Sequence, residues 1–150
     1  MKTLKRILLA EDDAKDVELI LTALDEHKLA NEVIVTHDGA EALDYLYARK
    51  KFAGRPKGNP AVMLLDLKMP KMDGLEVLRK IKADADLKTL PVVVLTSSRE
   101  SHDLDECYDL GVNAYVVKPV QFSAFVEAVK ELGIFWALIN EPPTRSVKKV

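Results

Sequence analysis

The sequence predicts an α/β fold: a doubly wound, five-stranded parallel sheet with helices on both faces. Three observations carry this reading. Five short apolar runs are each followed by an amphipathic or helix-compatible stretch. The runs are continuous rather than alternating, as in strands buried on both faces. Each run stops at polar residues, where a strand would leave the sheet. Right-handed crossovers between such units give a three-layer sandwich.

The first run is Ile7-Leu8-Leu9-Ala10, stopping at Glu11-Asp12-Asp13. Val17, Ile20, Leu21 and Leu24 then repeat at the spacing of one helical face, with Asp13 placed to cap that helix. Glu32 to Thr36 reads as the second strand, and Asp38 as the cap of a helix carrying Ala42, Leu43, Leu46 and Tyr47. Lys50 to Pro60, with Gly54, Pro56 and Gly58, is a long loop. Ala61 to Leu65 is the strongest buried strand and ends at Asp66. After the turn from Lys68 to Gly74 comes a helix with Leu75, Leu78 and Ile81. Pro91 to Leu95 forms the fourth strand, ending at Thr96. A weaker helix from Ser101 to Leu110 has Gly111 as its C-cap residue. Ala114 to Val117 is the fifth strand, ending at Lys118-Pro119. The last helix begins near Gln121 and runs long. Residues 1–140 are expected to form one domain and residues 141–150 a mobile tail.

Composition narrows the function classes. The chain has 150 residues, 48% hydrophobic and 31% charged, enough for a core without staples. Lys plus Arg is 22 against 24 for Asp plus Glu, a net charge of −2, which argues against a nucleic-acid binder. The single cysteine, Cys107, allows neither an internal disulfide nor a cysteine-based metal site and reads as a small helix hydrophobe. The N-terminal apolar run is too short for a signal peptide, and no stretch is long enough to span a bilayer. A cytoplasmic protein without membrane segments is expected. His27, His37 and His102 fall outside any motif and read as surface residues.

The chemistry lies at the strand ends. In a parallel sheet those ends share one edge, where open α/β folds build their sites. Glu11, Asp12, Asp66, Thr96 and Lys118 should therefore meet in one cleft. Singly, each has an ordinary reading: a helix cap for Asp66, a turn residue for Thr96, a solvated lysine for Lys118. The joint arrangement points to a site. Two like charges about 4 Å apart repel by roughly 4 kcal/mol at an effective dielectric near 20, so clustered carboxylates call for a cation or a proton. Oxygen ligands favour a hard cation, Mg2+ first among them. Carboxylates, an ammonium and a hydroxyl around Mg2+ also make a receptacle for a phosphoryl group, with Asp66 as the nucleophile that forms an acyl phosphate.

At this point the residues resemble the response regulator receiver family. The resemblance is carried by Leu9-Ala10-Glu11-Asp12-Asp13, by Leu64-Leu65-Asp66 through Lys68-Met69-Pro70 to Asp73-Gly74, by Val94-Leu95-Thr96-Ser97, and by Gly111 through Tyr115 to Lys118-Pro119. It covers about residues 5–132. It implies the flavodoxin-like (βα)5 receiver fold, with Asp66 as phosphoacceptor. It implies Mg2+ bound by Asp12 directly, Glu11 through water, Asp66, and the backbone carbonyl of Lys68. Lys118 would pair with the phosphoryl group, Thr96 would move toward it, and Tyr115 would be the aromatic switch. The Lys118–Pro119 bond would be cis. The side chains of Lys68 and Ser98 would border the water that hydrolyses the acyl phosphate. The implied donor is a sensor histidine kinase, and the implied protein is a switch rather than a turnover enzyme.

Two features depart from a minimal receiver. One is the long Lys50 to Pro60 loop. The other is a second apolar cluster, Ile134-Phe135-Trp136-Ala137-Leu138-Ile139, beyond the Phe122, Phe125, Val126, Val129 and Leu132 stripe. With the Glu-Asp acidic pair and Pro142-Pro143, they resemble single-domain regulators paired with bacterial phytochrome histidine kinases. Such regulators imply a homodimer through the face of the fourth helix, fifth strand and fifth helix. Too little chain follows residue 140 for a DNA-binding effector, so output by protein contact or phosphate relay is expected. Three rival readings fit the residues less well. An aspartyl-phosphate phosphatase wants a second Asp where Lys68 stands. A flavodoxin-like cofactor binder wants a phosphate loop where Glu11-Asp12-Asp13 stands. A degenerate receiver would lack switch residues that are present here.

Overall fold

The computed structural model describes residues 6–26, 32–96, 101–112 and 114–117. Five strands, β1 (Arg6–Ala10), β2 (Glu32–Thr36), β3 (Val62–Leu65), β4 (Val92–Thr96) and β5 (Ala114–Val117), form one sheet in the order β2-β1-β3-β4-β5. All four pairings are parallel. Four helices connect the strands: α1 (Ala14–Glu26), α2 (Gly39–Leu46), α3 (Gly74–Ala83) and α4 (Ser101–Asp109). This is the doubly wound arrangement that the continuous apolar strands predict.

Alternate strand residues feed two cores. Leu8, Ala10, Met63, Leu65, Val92 and Val94 point to the face covered by α2, α3 and α4, together with Leu43, Leu78, Ile81 and Cys107. Ile7, Leu9, Val62, Leu64, Val93 and Leu95 point to the opposite face, where Ile20 and Leu24 of α1 pack. Strands buried on both faces cannot alternate apolar with polar, which is why the sequence shows unbroken runs.

Caps fix where each helix starts. Oδ1 of Asp13 accepts from the amides of Lys15 and Asp16 at 2.9 and 3.1 Å. Asp38 accepts from the Glu41 amide at 2.7 Å, and Asp73 from the Glu76 amide at 3.0 Å. At the other end of α4, Gly111 takes a φ of 84°, the left-handed conformation of a helix stop.

One core residue differs from the periodicity reading. Tyr47 is not on the buried face of α2; the helix ends at Leu46 and Tyr47 is exposed. Tyr45 is buried instead. The long loop provides the cause. Phe52 meets the Tyr45 ring edge-on with centroids 5.1 Å apart, and the Arg55 guanidinium sits 4.4 Å from the ring centroid. Arg6, itself buried, donates through Nη1 to the Tyr45 hydroxyl at 2.6 Å. The Lys50 to Pro60 segment is thus a packed cover over the end of α2, opening with a short 3-10 turn, Lys50–Phe52.

The expected last helix from Gln121, the Ile134 to Ile139 cluster and the 141–150 tail lie outside the described residues. So do Ser98, His27, Lys118 and the Lys118–Pro119 bond. Among the described residues, no helix is long and apolar enough to cross a membrane.

Candidate functional site

The sheet register brings the acids together. Ala10 pairs with Leu65, so the next residues out, Glu11 and Asp66, stand side by side past the edge of the sheet. The ladder continues that far: the Asp66 amide donates to the Ala10 carbonyl, and the Glu11 amide to the Thr36 carbonyl, each at 3.0 Å. Parallel neighbours lie about 4.8 Å apart, so carboxylates at matching positions come within bridging distance of one ion. Glu11, Asp12 and Asp66 each offer an oxygen, and these oxygens all lie within 4.8 Å of one another.

Glu11 and Asp66 are buried, while Asp12 is exposed and opens the cluster to solvent. The Asp13 amide donates to Oε2 of Glu11 at 3.1 Å, holding that side chain at the cleft. Oε1 of Glu11 is also buried and accepts no hydrogen bond from the described residues. A buried carboxylate oxygen in a three-acid cluster suits a hard divalent cation. The donor set therefore fits such an ion.

The turn after Asp66 is held tightly against the end of β3. The Gly74 amide donates to the Leu67 carbonyl at 2.9 Å, and the Met72 amide to the Pro70 carbonyl at 2.8 Å. Lys71 takes a positive φ of 67° within this turn, and its ammonium lies 3.5 Å from Oδ2 of Asp38. Lys68 leaves the turn exposed, its Nζ 3.9 Å from Oδ2 of Asp103 on α4.

The other sequence-predicted residues divide. Thr96 ends β4, paired in register with Val117, so its backbone reaches the same edge as the acids; its side chain is outside the description. Lys118 follows Val117 and lies outside the described residues. Tyr115 is half-buried on β5 and packs against the core shared with α4. The sequence reading missed Asp103, a buried acid in the first turn of α4. Its signal was present: Asp103 and Cys107, four residues apart, share the buried face of α4.

Comparison with known proteins agrees with this geometry. The family model for the response regulator receiver domain matches residues 7–130. Response regulator Rcp1 of Synechocystis sp. is 38% identical over 132 residues, covering 88% of this chain and 88% of Rcp1. The solved structure of its Mn(2+)-bound form covers 93% of this chain and 99% of that one, at 36% identity and a TM-score of 0.76. The bacteriophytochrome response regulator RtBRR is 59% identical with a TM-score of 0.84, covering 96% of this chain and 87% of that one. The phosphorylated cyanobacterial phytochrome response regulator RcpA is 39% identical with a TM-score of 0.77, covering 95% of this chain and all (100%) of that one.

Proposed function

We propose how this chain, which belongs to the response regulator receiver family, acts in two-component signalling: Asp66 takes a phosphoryl group from a sensor histidine kinase beside a bound Mg2+. The chain is a phosphorylation-dependent regulator. The observation that carries the residue assignment is the meeting of Glu11, Asp12 and Asp66 oxygens within 4.8 Å at the ends of β1 and β3.

In this reading an Asp66 oxygen attacks the phosphorus of a phosphohistidine. A P–O bond forms, the P–N bond breaks, and the imidazole leaves with its electron pair. Asp12, Asp66 and the Lys68 carbonyl would hold the metal, with Glu11 bound to it through water. Bound there, Mg2+ supplies positive charge against the phosphoryl oxygens. In the same reading Lys118 adds an ammonium and Thr96 a hydroxyl to the phosphoryl site. Tyr115 then follows Thr96 and shifts the population of the α4–β5 surface. The acyl phosphate is hydrolysed slowly, so the protein is a switch rather than a turnover enzyme.

Relatives named as phytochrome response regulators support a bacterial phytochrome kinase as the donor, and hence a cytoplasmic setting. Leu104 and Tyr108 stand exposed one turn apart on α4 and support a homodimer through the α4–β5 face. We take residues 1–140 as the receiver domain.

The test is acetyl phosphate with Mg2+. One phosphoryl group per chain should appear on the wild type and none on Asp66→Asn. Equal labelling of both proteins would remove Asp66 from this role. Sizing with and without beryllofluoride tests the dimer; a monomer in both conditions rejects it.

A further inference from the structure

Lys68 stands two residues beyond the acceptor, and its ammonium lies 3.9 Å from Oδ2 of Asp103 in the first turn of α4. The two ends of this pair sit in different surroundings. The Lys68 side chain is 61% exposed, whereas that of Asp103 is 5% exposed. Charges buried in this way are screened less by solvent and salt than exposed ones. The separation exceeds a hydrogen-bond length, so the attraction within this pair is one of charge rather than of a directional bond. A phosphoryl group on Asp66 would add about −1.5 to −2 charge on the same short loop.

We propose that Asp103 is a positioning residue for the phosphoryl site: it competes with the phosphoryl group for the Lys68 ammonium, so that phosphorylation loosens the first turn of α4. The inference rests on Asp66 being the acceptor. Farther along α4, Nε and Nη2 of Arg79 on α3 both donate to Oε2 of Glu106. That fork keeps the middle of the helix tied to α3. Loss of the Lys68 contact would act first on the N-terminal turn, where Asp103 lies. Coupling is reciprocal: whatever Asp103 does to the hold on Lys68 is returned as a change in affinity at Asp66.

The experiment is a beryllofluoride titration in excess Mg2+ on four full-length proteins: wild type, Asp103→Asn, Lys68→Met and the double variant. Asp103→Asn removes the competing charge without changing shape. It should bind beryllofluoride about fivefold or more tightly than wild type. The acyl phosphate formed from acetyl phosphate should last longer by a similar factor. In the Lys68→Met background the same Asp103→Asn change should have no effect on either quantity. A purely structural role for Asp103 would act alike in both backgrounds, and that result overturns the inference. So does an Asp103→Asn protein whose affinity and lifetime match wild type. Lys68→Met lies at an exposed position, so half of the cycle stays readable even if Asp103→Asn folds poorly. If wild type itself fails to bind beryllofluoride, the acceptor reading of Asp66 fails first and the inference falls with it. That outcome is distinct from tight binding that ignores Asp103.

Discussion

Gly74 lies so close beneath the end of β3 that a methyl group built on it would sit 2.3 Å from the carbonyl oxygen of Asp66. The same methyl would lie 2.7 Å from the Leu67 Cα. Both obstacles are backbone and cannot rotate away. Gly74→Ala must therefore push α3 off the strand that positions Asp66. Overpacking of this kind costs about 1–3 kcal/mol, and this case belongs near the top of that range. Urea unfolding gives the stability loss, and beryllofluoride titration should show weakened binding in the fraction that folds. A loss below about 0.5 kcal/mol would mean that the turn has room to yield.

The acidic cluster predicts opposite effects of one substitution with and without metal. Glu11, Asp12 and Asp66 repel one another in the metal-free protein. Asp12→Asn removes one charge, so its metal-free form should melt at a temperature equal to or above that of wild type. Millimolar Mg2+ should raise the Tm of wild type and raise that of Asp12→Asn much less, because a ligand that binds only the folded state stabilises it. Chelation should return wild type to its lower Tm. Equal Mg2+ shifts in the two proteins would place the ion elsewhere.

The strands and their terminal acids were legible because burial on both faces forces unbroken apolar runs, and polar residues end each run where the sheet ends. Glu11 and Asp66 are 55 positions apart, yet the parallel register of β1 and β3 makes them neighbours. The caps at Asp13 and Asp38 were legible for a local reason: each bonds amides two or three residues ahead. Contacts that depend on how separate segments lie were not legible. Tyr45 and Tyr47 are both plausible core residues by helical spacing, and only the loop packed over α2 decides between them. Arg6 is buried beside the loop, and its guanidinium reaches the carbonyls of Lys57 and Gly58, a contact across some fifty positions that local spacing does not encode. The pairing of Lys68 with Asp103 needs the placement of α4, which no local pattern encodes.

The loop cover makes Arg55 an anchor of the fold. Its guanidinium donates to the carbonyls of Tyr45 and Leu46 at 2.6 and 3.1 Å, satisfying the open end of α2, and to Gly58 at 3.0 Å. It also stacks on the Tyr45 ring. Arg55→Ala should cost about 1.5–3 kcal/mol by losing charge-assisted hydrogen bonds at once. Arg55→Lys should recover only part of it, since an ammonium cannot fork across two carbonyls. Proteolytic nicking within residues 50–60 should rise in step. Full rescue by lysine would reduce the anchor to a simple charge effect.

Cys107 predicts a sign for alkaline stability. Burial in the core under α4 raises its thiol pKa to about 11, and the carboxylates of Asp103 and Glu106 add to the rise. The unfolded thiol ionises near about 8.5. Between these values the unfolded chain has released a proton that the folded chain still holds. Stability from the neutral buried thiol is thus complete below about pH 8.5 and drains away as pH climbs toward 11. Cys107→Ala lacks this proton, so its unfolding free energy should fall less steeply over that window, whatever constant offset the smaller side chain brings. Parallel urea titrations at several alkaline pH values measure both slopes. The same burial predicts slow alkylation of the folded protein at neutral pH and fast alkylation once denaturant opens α4. Identical alkaline slopes for the two proteins would show that the thiol is not what the core keeps neutral.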